Sequence, residues 1–187
     1  PSAENFKNSF IHFFFGAFCH ALRRVDGKFI EPWHLVEFCY RLQRYKRTST
    51  VAPSLHLKST TFEAFVCWKL YRMEHAYNEG VYMSYNDDLG AYHTKRTKRY
   101  IEALPELYGN YKSLSPSESI LNYQSPEGRV FFCYPMGIIG AQRGIHPNFL
   151  LCDDILCDPQ KKLDLTQLEK IATKFFEVVE QRPKEEL

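Results

Sequence analysis

Apolar residues recur along this chain at two different spacings, and the switches between them divide it into elements. Asn5 to Leu22 and Pro32 to Arg44 carry apolar side chains at helical spacing, and Pro32 suits a helix N-terminus, where a missing N–H costs nothing. From Lys46 to Ala52 the residues turn β-branched and stop at Pro53, which predicts a short strand and a forced turn. Lys58 to Tyr77 returns to the helical period through Phe62, Phe65, Val66, Lys69, Leu70 and Met73, with Asn78-Glu79-Gly80 as its stop. Val81 to Tyr85 reads as a buried strand. Asp87 and Asp88 then open a helix, where acids near the positive end stabilise it, and it runs to about Leu104 before Pro105. Two apolar runs between Ile120 and Pro135 flank Ser125-Pro126-Glu127-Gly128, a hairpin signal. Met136 to Asn148 reads as a glycine-containing loop, and Phe149 to Asp153 as an apolar strand ending in acid. Asp164 or Thr166 caps a last amphipathic helix through Leu168, Ile171, Phe175, Phe176 and Val179. This alternation predicts an α/β layer fold with a mostly parallel sheet flanked by helices. In such sheets ligands sit beyond the carboxyl ends of the strands.

Composition narrows the class without naming a function. A chain of 187 residues, 44% hydrophobic and 25% charged, is neither disordered nor a membrane bundle. The segment Ser9 to Leu22 is apolar, but it contains His12 and His20 and is shorter than the ~20 residues a span needs, so it reads as a buried helix. A net charge of +2 is too mild to argue for nucleic acid, so any DNA contact must come from a local patch or from assembly. The cysteines show no C-x-x-C pairing and lie mostly in apolar runs, which suggests free thiols in a reducing, intracellular setting.

Candidate chemistry begins at Thr50 to Thr61, which reads as a phosphate-binding loop that has kept its lysine and hydroxyls but lost its glycines. In G-x-x-x-x-G-K-[ST], backbone N–H groups wrap the phosphates, the lysine neutralises them and the hydroxyl holds Mg²⁺. Ala52 and Leu57 stand where the glycines would be, and Lys58 and Ser59 are in place. Pro53, Ser54, Leu55, His56, Leu57, Lys58, Ser59 and Thr60 are the candidate nucleotide-binding residues. Phosphoryl chemistry on ATP needs a cation on the phosphates, a metal ligand and a group that orients water. Lys58 fits the first role, Ser59 and Asp153 the second, and Asp154 the third. Each has a plainer alternative: Lys58 as a solvated first-turn lysine, and Asp153-Asp154 as an ordinary acidic pair after a strand. A cation at a helix N-terminus is disfavoured unless an anion joins it.

The run of motifs resembles the N-terminal ATPase domain of the large subunit of viral, tailed-phage-type DNA-packaging terminases. The residues that carry the resemblance are Ala52-Pro53 leading to Lys58-Ser59-Thr60, Tyr82-Met83-Ser84 with Asp88-Leu89, and Ile101-Glu102 before Pro105-Glu106-Leu107. Pro135-Met136-Gly137, Arg143-Gly144, His146-Pro147 and Leu150-Leu151-Cys152-Asp153-Asp154 complete it. The resemblance implies an ASCE-type P-loop NTPase fold, with residues 1–45 as a helical lead-in and 46–187 as a truncated ATPase core lacking the nuclease domain. It also implies a hydrolase that uses ATP and Mg²⁺ to push double-stranded DNA into a procapsid. That work is done in the host cytoplasm, by a homo-oligomeric ring with a portal protein and a small terminase subunit as partners, and without a membrane. Carried across, Lys58 and Ser59 are the phosphate and metal residues, Asp153 is the Walker B aspartate, and Asp154 stands where many members have a catalytic glutamate. Arg143 matches the finger offered to a neighbour's ATP, or is a loop arginine bridging backbone carbonyls.

Two departures from the family stand out. Many members carry arginine at the position of Ser54 and glycine at that of Leu57, so isolated subunits are expected to bind ATP weakly and hydrolyse it slowly. The family's nuclease domain is not in this sequence, which is expected to be a fragment. Among other features, Lys95-Arg96-Thr97-Lys98-Arg99 is either a solvated face or a surface for DNA or a neighbouring subunit. Trp33 and His34 are either core or adenine-packing residues. His56 either donates to a phosphate or points outward, and Ser84 either senses nucleotide or caps. Cys152 and Cys157 lack the further ligands a zinc site needs. Two rival functions remain: a nucleotide-binding assembly module with little hydrolysis, and a small-molecule kinase. The second is disfavoured because no arginine-bearing lid follows the acidic strand.

Overall fold

The chain enters through a phenylalanine-rich helical segment that buries Phe10, Phe13, Phe14 and Phe18. In this computed structural model, residues 2–27, 33–50, 56–140, 147–156 and 165–177 are described. Helix α1 (Ala3–Asn8) stops at Ser9, whose extended backbone (φ −138°) and hydroxyl, accepting from the His12 N–H at 3.4 Å, start α2 (Phe10–Phe13). A π segment (Phe14–Phe18) leads into α3 (Cys19–Asp26), which ends on Gly27 in the left-handed region (φ 65°). The single helix expected over Asn5 to Leu22 is therefore broken at Ser9, because a serine hydroxyl competes for backbone donors. Phe10 meets Phe65 and Phe18 meets Tyr100 edge-on, with ring centroids 5.2 and 4.8 Å apart. The N-terminal helices thus belong to the same apolar cluster as the rest of this sheet face.

A 3-10 turn (Trp33–Leu35) precedes α4 (Val36–Arg44). The strand expected over Lys46 to Ala52 is not formed over its described part: residues 46–50 pair with no strand. Lys46 to Ser49 are exposed, so this segment has no apolar face to bury in a sheet. Helix α5 (Lys58–Arg72) follows, then β1 (Tyr77–Ser84). Asn78-Glu79-Gly80, expected to stop the helix before a strand at Val81, instead lies inside that strand. The Asn78 amide accepts from the His75 N–H and donates to the His75 and Val130 carbonyls, so it closes the turn while remaining in the sheet. Gly80 is needed for packing, since a Cβ there would lie 2.1 Å from the Phe149 ring.

Helix α6 (Asp87–Glu102) is followed by α7 (Pro105–Tyr108), so Pro105 begins a short helix as well as ending a long one. Strands β2 (Lys112–Ser113), β3 (Leu121–Gln124), β4 (Val130–Gly137) and β5 (Phe149–Cys152) precede α8 (Leu165–Phe175). The sheet order is β2-β3-β4-β1-β5. β1 runs parallel to β4 and β5, whereas β3 is antiparallel to β4 and β2 to β3. The sheet is therefore mixed rather than mostly parallel. The cause is the hairpin at Ser125 to Gly128, where Gly128 at φ 84° and two backbone bonds of 2.9 Å reverse the chain too tightly for a crossover. One face of β1 points Tyr82 into the aromatic core beneath α5 and α6. The other face points Val81 and Met83 at Met136, Ile138 and Ile171 of α8. No helix among the described residues is long and apolar enough to cross a membrane.

Candidate functional site

Because β1, β4 and β5 are parallel, their carboxyl ends meet at one edge. There the Asp153 N–H donates to the Met83 carbonyl and the Ile138 N–H to that of Ser84, both at 2.8 Å. Register pairs Met83 with Cys152, so the next residues, Ser84 and Asp153, stand side by side on the face that also carries Tyr82. Asp154 then takes a left-handed backbone (φ 48°), which aspartate tolerates better than most residues, and the chain turns away from the strand.

The start of α5 faces this edge. Leu57 precedes it with φ 58° and ψ 22°, a left-handed conformation that glycine adopts freely and leucine does not. Its carbonyl accepts from both the N–H and the hydroxyl of Thr61, each at 2.8 Å, which locks the first turn. The Lys58 ammonium lies 2.5 Å from Asp154 Oδ1 and 3.3 Å from Asp153 Oδ1. Burial pulls this ammonium down, but the carboxylates of Asp154 and Asp153 outweigh it and hold the group above the usual lysine range.

Asp153 is wholly buried, and a buried charge needs partners. The Tyr82 hydroxyl donates to Oδ2 at 2.9 Å, and His93 Nε2 stands 3.9 Å from the same oxygen. His93 Nδ1 lies 2.8 Å from Glu63 Oε1, on a carboxyl that burial pushes above the usual acid range despite His93 and Arg96. Glu63 Oε2 is 3.6 Å from Arg96, which pairs with Asp26 at 2.6 Å, and Tyr100 donates to that same Asp26 oxygen. A continuous line of polar groups therefore runs from the strand edge back to the end of α3.

Among the described residues, two buried oxygens at this edge have no hydrogen-bond partner: Asp153 Oδ1, which stands 3.3 Å from the Lys58 ammonium, and Ser84 Oγ. Together with the half-buried Ser59 hydroxyl beside Lys58, these are hard oxygen donors. Mg²⁺ is typically held by one or two carboxylates, substrate phosphates and water. The oxygen chemistry of these donors suits that group, and among the described residues no cluster of three or more His, Cys, Asp or Glu stands ready to hold a metal by itself.

The structure brings Lys58, Asp153 and Asp154 together and sets Ser59 and the buried Thr60 in the same first helical turn. Pro53, Ser54, Leu55, Arg143 and Cys157 lie outside the described residues, so their expected roles have no geometry here. No described sheet strand leads into Lys58, contrary to the expected strand–loop–helix order. His56 is exposed and its ring lies 5.8 Å from that of His34, which in turn meets Trp33. Trp33 is 79% exposed, so the core alternative for it is set aside. The basic run divides by burial. Arg96 is committed to Asp26 and Glu63 and Lys98 reaches the Ser117 carbonyl, while Lys95 and Arg99 remain outside.

Sequence reasoning missed Tyr82, Glu63 and His93 as parts of the site. A glutamate five positions after Lys58, inside the otherwise apolar run Phe62 to Trp68, was the available signal. No protein family, curated protein or solved structure matches this chain.

Proposed function

We propose that this chain is the ATPase motor domain of a viral terminase large subunit, an ASCE-type P-loop NTPase that couples ATP hydrolysis to movement of double-stranded DNA into a procapsid. The observation that carries the reading is the convergence of Lys58 with Asp153 and Asp154, from segments far apart in sequence, at the carboxyl edge of parallel strands. Lys58 draws the phosphates to the start of α5, where free backbone N–H groups reinforce it. In doing so it exchanges the Asp154 carboxylate for phosphate oxygens, and Asp154 is released to orient and deprotonate water. Asp153 and Ser59 would hold Mg²⁺, which when bound would neutralise phosphate charge. Arg143 serves the ATP of the neighbouring subunit in the ring, with a portal protein and a small terminase subunit as partners. A guanidinium suits that role, since it stays charged and grips phosphate oxygens as a fork.

Phosphate release measured across protein concentration tests the reading. Release is expected to rise faster than linearly, Lys58→Ala to lower it on the order of 100-fold, and Arg143→Ala to flatten the concentration dependence. Release that is indifferent to Lys58→Ala and Asp153→Asn would overturn it. A second reading, a nucleotide-binding assembly module with little turnover, is favoured by Leu57, which holds a glycine-like conformation without being glycine. Tight nucleotide binding with no phosphate release, even in Ser54→Arg, would select that reading.

A further inference from the structure

The two oxygens of Asp153 are treated differently. Oδ2 is engaged by the Tyr82 hydroxyl at 2.9 Å, whereas Oδ1 has no hydrogen bond among the described residues and faces Lys58 at 3.3 Å. Tyr82 stands on β1, where its register mate is Leu151, so its phenol approaches Asp153 along the sheet face from within the core. The phenol is itself held. The His93 imidazole lies nearly flat on it, with ring centroids 5.1 Å apart and planes 20° from parallel, and His93 is anchored on Glu63. Tyr82 and Glu63 are wholly buried and His93 nearly so, so none can relax toward solvent.

We infer that Tyr82, buttressed by His93 and Glu63, is a positioning residue: it ties down Oδ2 so that Asp153 presents Oδ1, and only Oδ1, beside Lys58. This rests on reading the edge as a Mg²⁺–nucleotide site. A carboxylate anchored at one oxygen cannot swing about its Cβ–Cγ bond, so the other oxygen keeps a fixed aim. Groups that orient a metal ligand in this way typically contribute 10–100-fold in metal affinity, which is the size of effect to look for.

Mn²⁺ is the probe, with its free spin signal read by electron paramagnetic resonance in the presence of a non-hydrolysable ATP analogue. Metal-free analogue binding is measured alongside by fluorescence, and folding by thermal unfolding. Tyr82→Phe, which keeps the ring and removes only the hydroxyl, is expected to weaken Mn²⁺ binding by about 10–100-fold and leave metal-free binding unchanged. His93→Gln, which keeps an amide toward Glu63 but removes the stacked ring, is expected to give the same change to a smaller extent. If Asp153→Asn loses Mn²⁺ while Tyr82→Phe retains it in full, the inference falls and the site reading stands. An equal loss of metal-free binding in Tyr82→Phe also overturns the inference, because Tyr82 then serves the fold in general. If the parent chain binds no Mn²⁺ with the analogue and Lys58→Ala changes nothing, both fall together.

Discussion

Helices α5 and α6 begin at the same edge of the sheet, and they begin in opposite ways. α6 is complete in itself. Asn86 caps it by accepting from the Leu89 N–H at 2.8 Å, and Asp87 and Asp88 place negative charge in its positive first turn. Asp87 also accepts from the Gly137 N–H at 2.6 Å, which pins the end of β4. α5 has no side-chain cap and no acid in its first turn; it opens instead with the cation of Lys58 after a left-handed leucine. A start of that kind lacks the negative charge that its dipole and its lysine both call for. In this chain the acids come from the far end of β5. The difference teaches that α6 carries the charge its own start needs, whereas α5 takes its charge from Asp153 and Asp154 of another element.

The comparison can be broken most sharply at Lys58. Lys58→Met leaves the buried Asp153 charge without its cation, and it should destabilise the chain by about 3 kcal/mol, the low end for breaking a buried pair. Urea unfolding at neutral pH measures this, and adding Asp153→Asn should recover most of the loss. A null result for the single variant would mean that the pair is solvated in practice. At the other helix, Asn86→Ala removes an ordinary cap and should cost about 1 kcal/mol while nucleotide affinity stays the same. If affinity falls along with stability, the two starts are not independent.

Glu63 sharpens the comparison one turn further into α5. Its carboxyl is raised above 4.5, chiefly by burial, so the folded chain keeps this proton to higher pH than the unfolded chain does. Stability from that proton is present below the unfolded value and declines as pH climbs from there through the folded value. The melting temperature of Glu63→Gln should therefore gain on the parent as pH rises through that window. A gap that does not vary with pH would show that Glu63 is as easily ionised inside as outside.

The legible parts were those with a local cause. The acids that open α6, the proline-glycine turn at Ser125 to Gly128 and the acidic strand end all carry their reason within a few residues, and the structure has each of them. The strand expected over Lys46 to Ala52 is absent over its described part because its exposed residues have no apolar face to bury against. The start of β1 was missed because Asn78 and Gly80 are turn formers in isolation. Here one closes a turn from within the strand, and the other makes room for Phe149. Lys58 and the acids at 153–154 could be paired from motif spacing, but the backbone strain at Leu57 could not.

By itself, then, the order of residues determined the start of α6 and the turn at Ser125 to Gly128, because caps, breakers and apolar spacing act over a turn or two of chain. It also determined that a cation and two acids would stand at element ends. Only the tertiary structure decided that Tyr82, His93, Glu63, Arg96 and Asp26 form one line behind Asp153. Those side chains come from one strand and three helices, and while Tyr82 and Glu63 lie in apolar stretches, Arg96 lies in a basic run and Asp26 at a helix end, with nothing local to join them. What makes them a site is the neighbour that packing supplies: a buried polar group takes its partner from whatever element lies against it, and no local rule names that element in advance.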